Sequence, residues 1–185
     1  IRKLFSYKKK PALNTIMGLW SEMFVIYISE NPNLWIEGWH TKPRSTFDFK
    51  FFNLGIDVKS FGGFKREHYF QLEQLKNISV EQTLIISMNL QESLDNRGLS
   101  VHDLFNKIIK NVEDSKLVRK LENLLFKIGG DNNSEVMKFN KQIALDSLKI
   151  IKGEDIPCIS ENIPEGISEI KFKASCENIP QFKFS

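Results

Sequence analysis

Charged side chains interrupt an otherwise apolar stretch at residues 46–61, TFDFKFFNLGIDVKSF. Three of them are Asp48, Asp57 and Lys59, and their neighbours are mostly the aromatic and β-branched residues that favour strands. Asn and Gly in the middle of the stretch tolerate turn conformations, which predicts a hairpin with its turn at residues 53–55. Because aspartate is disfavoured in strands and is rarely buried alone, these charges require compensation by a metal ion, an ion pair or water.

The hairpin would gather the three charges on one face. Side chains alternate along a strand, so Asp57 and Lys59 project from the same side, and Asp48 reaches that side from the neighbouring strand. Two converging carboxylates repel each other and raise a pKa unless a divalent cation bridges them. Such oxygen ligands favour Mg²⁺ or Mn²⁺. A lysine beside them can orient a water that attacks phosphorus and can offset charge on a phosphoryl group.

A fourth charged group stands alone in the preceding apolar segment. Glu22 is the only charged residue within residues 13–29, LNTIMGLWSEMFVIYIS, a pattern typical of a buried helix. Gly18 lies four residues earlier on the same helical face and would let the helix approach a sheet closely. We therefore expect Glu22 to lie near the two aspartates.

The spacing of the two aspartates and the lysine is not specific by itself. A structural ion pair between Asp57 and Lys59 would explain the same pattern, and it predicts no metal binding. His40, His68 and His102 show no spacing typical of metal ligands. Each of them is therefore expected to be a surface or a packed histidine.

The composition is that of one globular domain. The chain has 185 residues, of which 41% are hydrophobic and 26% charged, and its net charge of +3 permits contact with a polyanion without requiring it. Cys158 and Cys176 stand alone, which argues against a zinc site or a disulfide framework. The absence of a long apolar run and of a signal peptide predicts a cytoplasmic protein with no membrane contact. Ile1 in place of Met is the pattern of a fragment or trimmed product.

The remaining segments predict an α/β fold. Strand patterns outside the hairpin cover residues 67–74, 83–90, 143–151 and 167–172, helix patterns cover residues 13–29, 101–111 and 115–128, and residues 34–43 resemble a connection. The run at 83–90 is typical of a central strand covered on both faces. Ser100 suits a helix cap. We expect a mixed β-sheet flanked by helices in a single domain, residues 1–185, with core motifs at 13–90, a helical insertion at about 100–130 and C-terminal strands at about 142–175.

The motifs also carry a family resemblance. The order GLWSE (residues 18–22), FDF (47–49) and IDVK (56–59) resembles the restriction-endonuclease-like nuclease superfamily, whose signature is PD-(D/E)XK. Together with residues 74–75 and GEDIPCISENIPEGISEIKF (153–172), it is similar to an uncharacterised bacterial family of that superfamily, found near restriction and phage-defence genes. The resemblance covers residues 13–75 well and the tail more loosely. It implies a restriction-endonuclease-like core.

The resemblance implies a role for each metal-site residue. Asp48 would be the first metal ligand and Asp57 the second. The backbone carbonyl of Val58 would complete the metal shell, and Glu22 would steady the metal or its water from the helix. The metal would be Mg²⁺, with Mn²⁺ able to substitute for it. Phe47 occupies the position of the signature proline.

The resemblance further implies the groups that act on the substrate. Lys59 would be the catalytic lysine, and Gln74, at the end of the next strand, would touch the attacking water or the DNA backbone. Lys65 and Arg66 are expected to contact phosphates. The implied activity is that of a Mg²⁺-dependent deoxyribonuclease, an endonuclease of a restriction or phage-defence system that works as a homodimer or with a partner subunit. The alternative is an inactive nuclease-fold module that binds DNA or a partner subunit.

Overall fold

A four-stranded mixed sheet covered by helices forms the centre of the computed structural model, which describes residues 13–40, 45–76, 79–93, 97–129, 137–159, 163–167 and 169–183. The helices are α1 (Leu13–Ile28), α2 (Pro32–Gly38), α3 (Leu72–Leu75), α4 (Val101–Ile109), α5 (Ser115–Gly129) and α6 (Lys141–Asp146). The strands are β1 (Phe49–Phe51), β2 (Leu54–Phe61), β3 (Glu67–Gln71), β4 (Gln82–Asn89), β5 (Lys149–Lys152) and β6 (Lys171–Ser175). No helix in these ranges is long and apolar enough to cross a membrane.

The main sheet has the strand order β1-β2-β4-β5. Strands β2 and β4 are parallel, whereas β1 and β5 run antiparallel to their neighbours. A second sheet pairs β3 with β6 in antiparallel orientation. This mixed α/β architecture confirms the predicted fold class and is consistent with a restriction-endonuclease-like core.

Strand β4 is buried on both faces, as its continuous apolar run predicted. Leu84 and Ile86 belong to the larger core, which lies between the sheet and helices α1, α2, α4 and α5. Ile85 belongs to a smaller core on the opposite face, where it packs with Phe70 of β3 and Ile151 of β5. Asp57 and Lys59 of β2 are register partners of Ile85 and Ser87, so they face the smaller core.

The hairpin of β1 and β2 is confirmed, but its turn differs from the prediction. The turn residues are Phe52 and Asn53, and Phe52 adopts a positive φ of 45°. Leu54 and Gly55 already belong to β2. Gly55 allows the ring of Phe47 to pack closely against β2, because a Cβ atom at Gly55 would lie 2.6 Å from that ring.

Helix α1 is confirmed, and a second helix follows where a connection was expected. The side chain of Asn31 accepts the N–H of Leu34, and Pro32 occupies the first turn of α2. Both features are strong helix-start signals. The sequence around Asn31 therefore starts a helix as well as ending one.

Two of the predicted strands were partly wrong. The strand expected at residues 67–74 ends at Gln71, and α3 follows it. The strand expected at residues 143–151 begins as α6, because the side chain of Asn140 accepts the N–H groups of Gln142 and Ile143 and so starts a helix. Only its last part forms β5. The last predicted strand, at residues 167–172, forms further along the chain as β6.

Helices α4 and α5 lie where they were predicted. Ser100 caps α4: its hydroxyl accepts the N–H of Asp103, whose carboxylate accepts the N–H of Ser100 in return. This reciprocal pair satisfies two amides at the helix start. Both helices pack against α1, which explains why α1 is apolar on nearly every side.

Candidate active site

The two strands of the hairpin separate immediately before β1, which leaves the N–H of Val58 on β2 without a partner in the backbone of β1. Regular pairing of the two strands ends at Phe49 and Ile56. Beyond that point the N–H of Val58 donates to Oδ2 of Asp48 at 2.7 Å, so a carboxylate takes the place of a strand carbonyl. Asp48 is thereby held against β2 by its side chain.

Asp57 lies beside this opening and is buried. Its Oδ2 lies 2.6 Å from Nζ of Lys59, and its Oδ1 accepts a hydrogen bond from Nε2 of Gln74 at 3.3 Å. Among the described residues Oδ2 has no aligned hydrogen bond, so the charge of Lys59 is its partner. Lys59 itself is partly exposed, with 22% of its side chain accessible. The alternation of β2 thus places a buried carboxylate beside a cation that reaches solvent.

Gln74 fixes the orientation of Asp57 from outside the main sheet. Its Nε2 also donates to the carbonyl of Thr46 at 3.1 Å, and its Oε1 accepts the N–H of Gln71. Gln74 lies on α3 rather than at the end of a strand, which corrects the prediction, and it is 9% exposed. Its amide therefore links the segment before β1 to the carboxylate on β2.

Glu22 reaches the same region from α1. Its Oε2 accepts Nε1–H of Trp39 at 2.5 Å and lies 2.8 Å from Nε2 of His40. The N–H of His40 donates to the backbone carbonyl of Asp48 at 2.8 Å, and Trp39 forms an isolated bridge with Phe49. The residues that follow α2 therefore link Glu22 to Asp48 and to the start of β1.

Three side chains form a cluster that could hold a metal ion: Glu22, His40 and Asp48. Their ligand atoms all lie within 4.8 Å of one another, and each side chain is partly exposed. We call this group the Glu-His-Asp cluster. Within the described ranges Asp57 does not belong to it, although the charge of Asp57 acts on Asp48.

The electrostatics of the site are dominated by its carboxylates. Burial raises the pKa of Asp48 well above its ordinary value, and repulsion from Asp57 and Glu22 raises it further. The N–H of Val58 and the charge of Lys59 lower this pKa but do not cancel the rise. Burial also raises the pKa of Asp57, while its contact with Lys59 opposes that shift. Three carboxylates beside one lysine leave excess negative charge, which a bound cation or a proton neutralises.

The structure brings together five of the residues singled out in the sequence: Glu22, Asp48, Asp57, Lys59 and Gln74. Their roles, and that of the Val58 carbonyl, stay predictions. His40 was expected to be a surface or packed histidine, since it has no ligand-like spacing along the chain. The signal that could have found it is its position directly after Trp39 and shortly before Asp48.

The two predicted phosphate contacts lie in different environments. Lys65 is exposed. Arg66 is buried, and its guanidinium donates to the carbonyl and hydroxyl of Ser87 and to the carbonyl of Ser147. The ring of Phe61 lies 4.8 Å from the guanidinium carbon. The guanidinium of Arg66 therefore forms these hydrogen bonds within the protein rather than with a phosphate.

A separate cavity of about 1060 Å³ lies on the opposite face of the sheet. It is lined mainly by apolar side chains of α1, α2 and the sheet, including Trp35, Leu84 and Ile86. No member of the Glu-His-Asp cluster lines it, and neither does Asp57 or Lys59. The chemistry of the site is therefore independent of this cavity.

Comparison with known proteins agrees with this geometry. A family model described as "Putative PD-(D/E)XK family member, (DUF4420)" matches residues 2–177. Neither a curated protein nor a solved structure matches the chain significantly. Membership of a PD-(D/E)XK family indicates nuclease chemistry, for which the carboxylates and the lysine of this site are suited. Because the match spans most of its length, the chain belongs to this PD-(D/E)XK family.

Proposed function

We propose that this protein is a metal-dependent nuclease that hydrolyses DNA phosphodiester bonds. The observation that carries the proposal is the meeting of Asp48, Asp57 and Lys59 at the open end of the hairpin, with Glu22 beside them. The carboxylates bind a cation, and the lysine acts on the substrate. Family membership supports the same chemistry.

The residues of the site fit a divalent cation. Burial raises the pKa of both Asp48 and Asp57, and the charge of Asp57 raises the pKa of Asp48 further, so a bound cation would stabilise the ionised carboxylates. Asp48, Asp57, Glu22 and the carbonyl of Val58 would hold Mg²⁺, and Mn²⁺ would substitute for it. When bound, the cation supplies Lewis-acid stabilisation of the phosphate and of the leaving oxygen.

Side chains of the protein orient the attacking water, position the carboxylates and contact the DNA. Lys59 orients the attacking water and balances negative charge on the phosphoryl group, because its ammonium is partly exposed while its partner Asp57 is buried. Gln74 is a positioning residue, since its amide holds Asp57 and does not reach solvent. Lys65 contacts a DNA phosphate from the exposed segment between β2 and β3. Arg66 supports that segment from inside.

The biological setting forms the finer part of the proposal, and it rests on the family resemblance. We place the enzyme in a restriction or phage-defence system in the cytoplasm, acting as one nuclease-like domain over residues 1–185. Cleavage of both DNA strands favours a homodimer or a partner subunit.

A second candidate function is an inactive nuclease-fold module that binds DNA or a partner subunit. The observation that favours it is the close ion pair of Asp57 and Lys59, which would make a bound cation unnecessary for stability. The two functions differ in one respect: only the enzyme cuts DNA when metal is supplied.

The deciding experiment incubates supercoiled and linear DNA with the protein in Mg²⁺, in Mn²⁺ and in EDTA. Wild type is expected to cut only with metal. Asp57→Asn and Lys59→Met are expected to bind DNA but to cut it about 10²- to 10⁴-fold more slowly. Lys152→Met is the matched control, because Lys152 forms an ion pair with Glu154 outside the site; it should cut normally.

The opposite results have clear meanings. DNA binding in EDTA, with no cleavage of modified or unmodified DNA in either metal, would favour the binding module. If wild type neither binds nor cuts DNA, and the variants differ from it only in stability, the charged residues of the hairpin have a structural role alone.

A further inference from the structure

His40 contributes the one nitrogen ligand atom of the Glu-His-Asp cluster. Its Nε2 lies 2.8 Å from Oε2 of Glu22. Two neighbouring ligands of an octahedral ion with bonds of about 2.1 Å lie about 3 Å apart. The histidine nitrogen and the glutamate oxygen therefore already stand at nearly the separation that two ligands of one ion would have.

The position of His40 is set by a backbone hydrogen bond to Asp48, the residue immediately before β1. His40 has a positive φ of 41°, a conformation that is uncommon for residues other than glycine, and its N–H is bonded to the carbonyl of Asp48. Trp39 holds Glu22 from the adjacent position. A backbone hydrogen bond thus joins His40 to Asp48, and side-chain contacts join both Trp39 and His40 to Glu22.

A simpler role for His40 would be to hold Glu22 by a hydrogen bond. That role is already filled, because Nε1–H of Trp39 donates to the same oxygen, Oε2 of Glu22. Excess negative charge remains around the cluster, because the carboxylates of Glu22, Asp48 and Asp57 act on one another while the nearby ammonium of Lys59 is paired with Asp57. A cation held jointly by oxygen and nitrogen ligands accounts for both observations.

We infer that His40 is a nitrogen ligand of the metal site, which makes the site selective for ions that accept imidazole, such as Mn²⁺, over Mg²⁺. This inference rests on the proposed function and assigns it a ligand and an ion preference. Imidazole suits transition metals, whereas Mg²⁺ takes oxygen ligands. Loss of His40 should therefore weaken Mn²⁺ binding much more than Mg²⁺ binding.

The test is calorimetric titration of the metal-free protein with Mn²⁺ and with Mg²⁺. His40→Gln keeps an amide that can hydrogen-bond to Glu22 but removes the imidazole. We expect its Mn²⁺ affinity to fall about 10- to 100-fold, with a smaller change for Mg²⁺. His102→Gln is the matched control, because His102 is an exposed histidine on α4, and it should bind both ions as wild type does.

Trp39→Phe separates ligation from positioning, since it removes the hydrogen bond to Glu22 while it keeps an aromatic ring in the core and the imidazole of His40. Its Mn²⁺ affinity should fall less than that of His40→Gln. Pulsed electron paramagnetic resonance of the Mn²⁺ complex gives a direct readout: nitrogen coupling should be present in wild type and in Trp39→Phe, and lost in His40→Gln. This readout identifies the ligand atoms of bound Mn²⁺ and so distinguishes ligation from a general loss of affinity.

Asp48→Asn distinguishes a failure of this inference from a failure of the proposed function. If Asp48→Asn loses Mn²⁺ while His40→Gln binds it as wild type does and no nitrogen coupling is seen, His40 is not a ligand and the nuclease proposal stands. If wild type binds neither ion, or Asp48→Asn binds both unchanged, the metal site fails and the inference fails with it.

Discussion

The carboxylate of Asp48 accepts the backbone N–H of Val58 at 2.7 Å, where the hairpin partner strand has already turned away. The side chain thus completes the hydrogen bonding of β2 and at the same time faces Asp57 and Glu22. Asp48 therefore contributes both to the stability of β2 and to the proposed metal site. Substitutions of Asp48 should affect stability and metal binding differently.

Asp48→Asn should separate stability from metal binding. The asparagine oxygen still accepts the N–H of Val58, and the substitution removes a charge whose pKa is raised by burial and by Asp57. We expect the metal-free variant to be at least as stable as wild type at neutral pH, whereas Asp48→Ala should be less stable than Asn by about 1–3 kcal/mol, because it leaves a buried N–H unpaired. Urea unfolding in EDTA measures both; an Asn variant as unstable as Ala would contradict this account.

Gln74→Leu should lower activity through Asp57. The substitution removes the amide that holds Oδ1 of Asp57 and the carbonyl of Thr46, so both lose a buried partner. We expect a stability loss of about 1–3 kcal/mol and a lower kcat for DNA cleavage with little change in KM. Gln91→Leu is the control because Gln91 is exposed. A higher KM with unchanged kcat would instead point to a contact with DNA.

Lys65 and Arg66 are neighbours for which we predict opposite effects. Arg66→Met should destabilise the protein by about 2–4 kcal/mol, because it strips the hydrogen bonds from Ser87 and Ser147. Lys65→Ala should change stability by less than about 0.5 kcal/mol but weaken DNA binding and reduce the salt slope by about 1. Urea unfolding, and fluorescence anisotropy of labelled DNA across a salt series, provide the two readouts. Equal salt slopes for wild type and Lys65→Ala would remove Lys65 from the DNA contact.

His68 should make the stability of the protein depend on pH. Burial, and the charges of Lys59 and Arg66, lower the pKa of His68 from its ordinary 6.5 to about 4. Below pH 6.5 His68 becomes protonated in the unfolded chain but stays neutral in the folded chain. Its contribution to the free energy of unfolding therefore falls by up to about 3 kcal/mol as the pH drops from about 6.5 to about 4.

The matched variant for this effect is His68→Phe, which keeps an aromatic ring between Phe61 and Phe70. Its unfolding free energy, measured by urea titration at a series of pH values, should fall less steeply across the same range. Identical slopes for variant and wild type would show that folding does not shift the pKa of His68.

Gly55→Ala should destabilise the hairpin. A Cβ atom at this position would lie 2.6 Å from the ring of Phe47, whereas at Gly62 the nearest atom would be a carbonyl oxygen at 3.8 Å. We expect Gly55→Ala to cost about 1–3 kcal/mol because the Phe47 ring must move. Gly62→Ala should be neutral or slightly stabilising. Thermal unfolding compares the two, and equal midpoints would mean that the ring moves freely.

Much of the local structure could be predicted from short-range patterns. Alternation along β2 put Asp57 and Lys59 on one face, the run in β4 predicted a strand buried on both sides, and Ser100 predicted the start of α4. Two of the failed predictions can be traced to overlooked helix caps. Asn31 and Asn140 each start a helix in a segment interpreted as a connection or a strand.

By itself the sequence determined which chemical groups were available and which neighbours along the chain share a face, because covalent geometry sets the period of a helix or a strand within a few residues. Only the tertiary structure decided that His40 joins Glu22 and Asp48, and that Gln74 approaches Asp57 from a helix rather than from a strand. These contacts join residues far apart in the chain. They depend on how α1, α2 and α3 pack around the sheet, which no local pattern specifies.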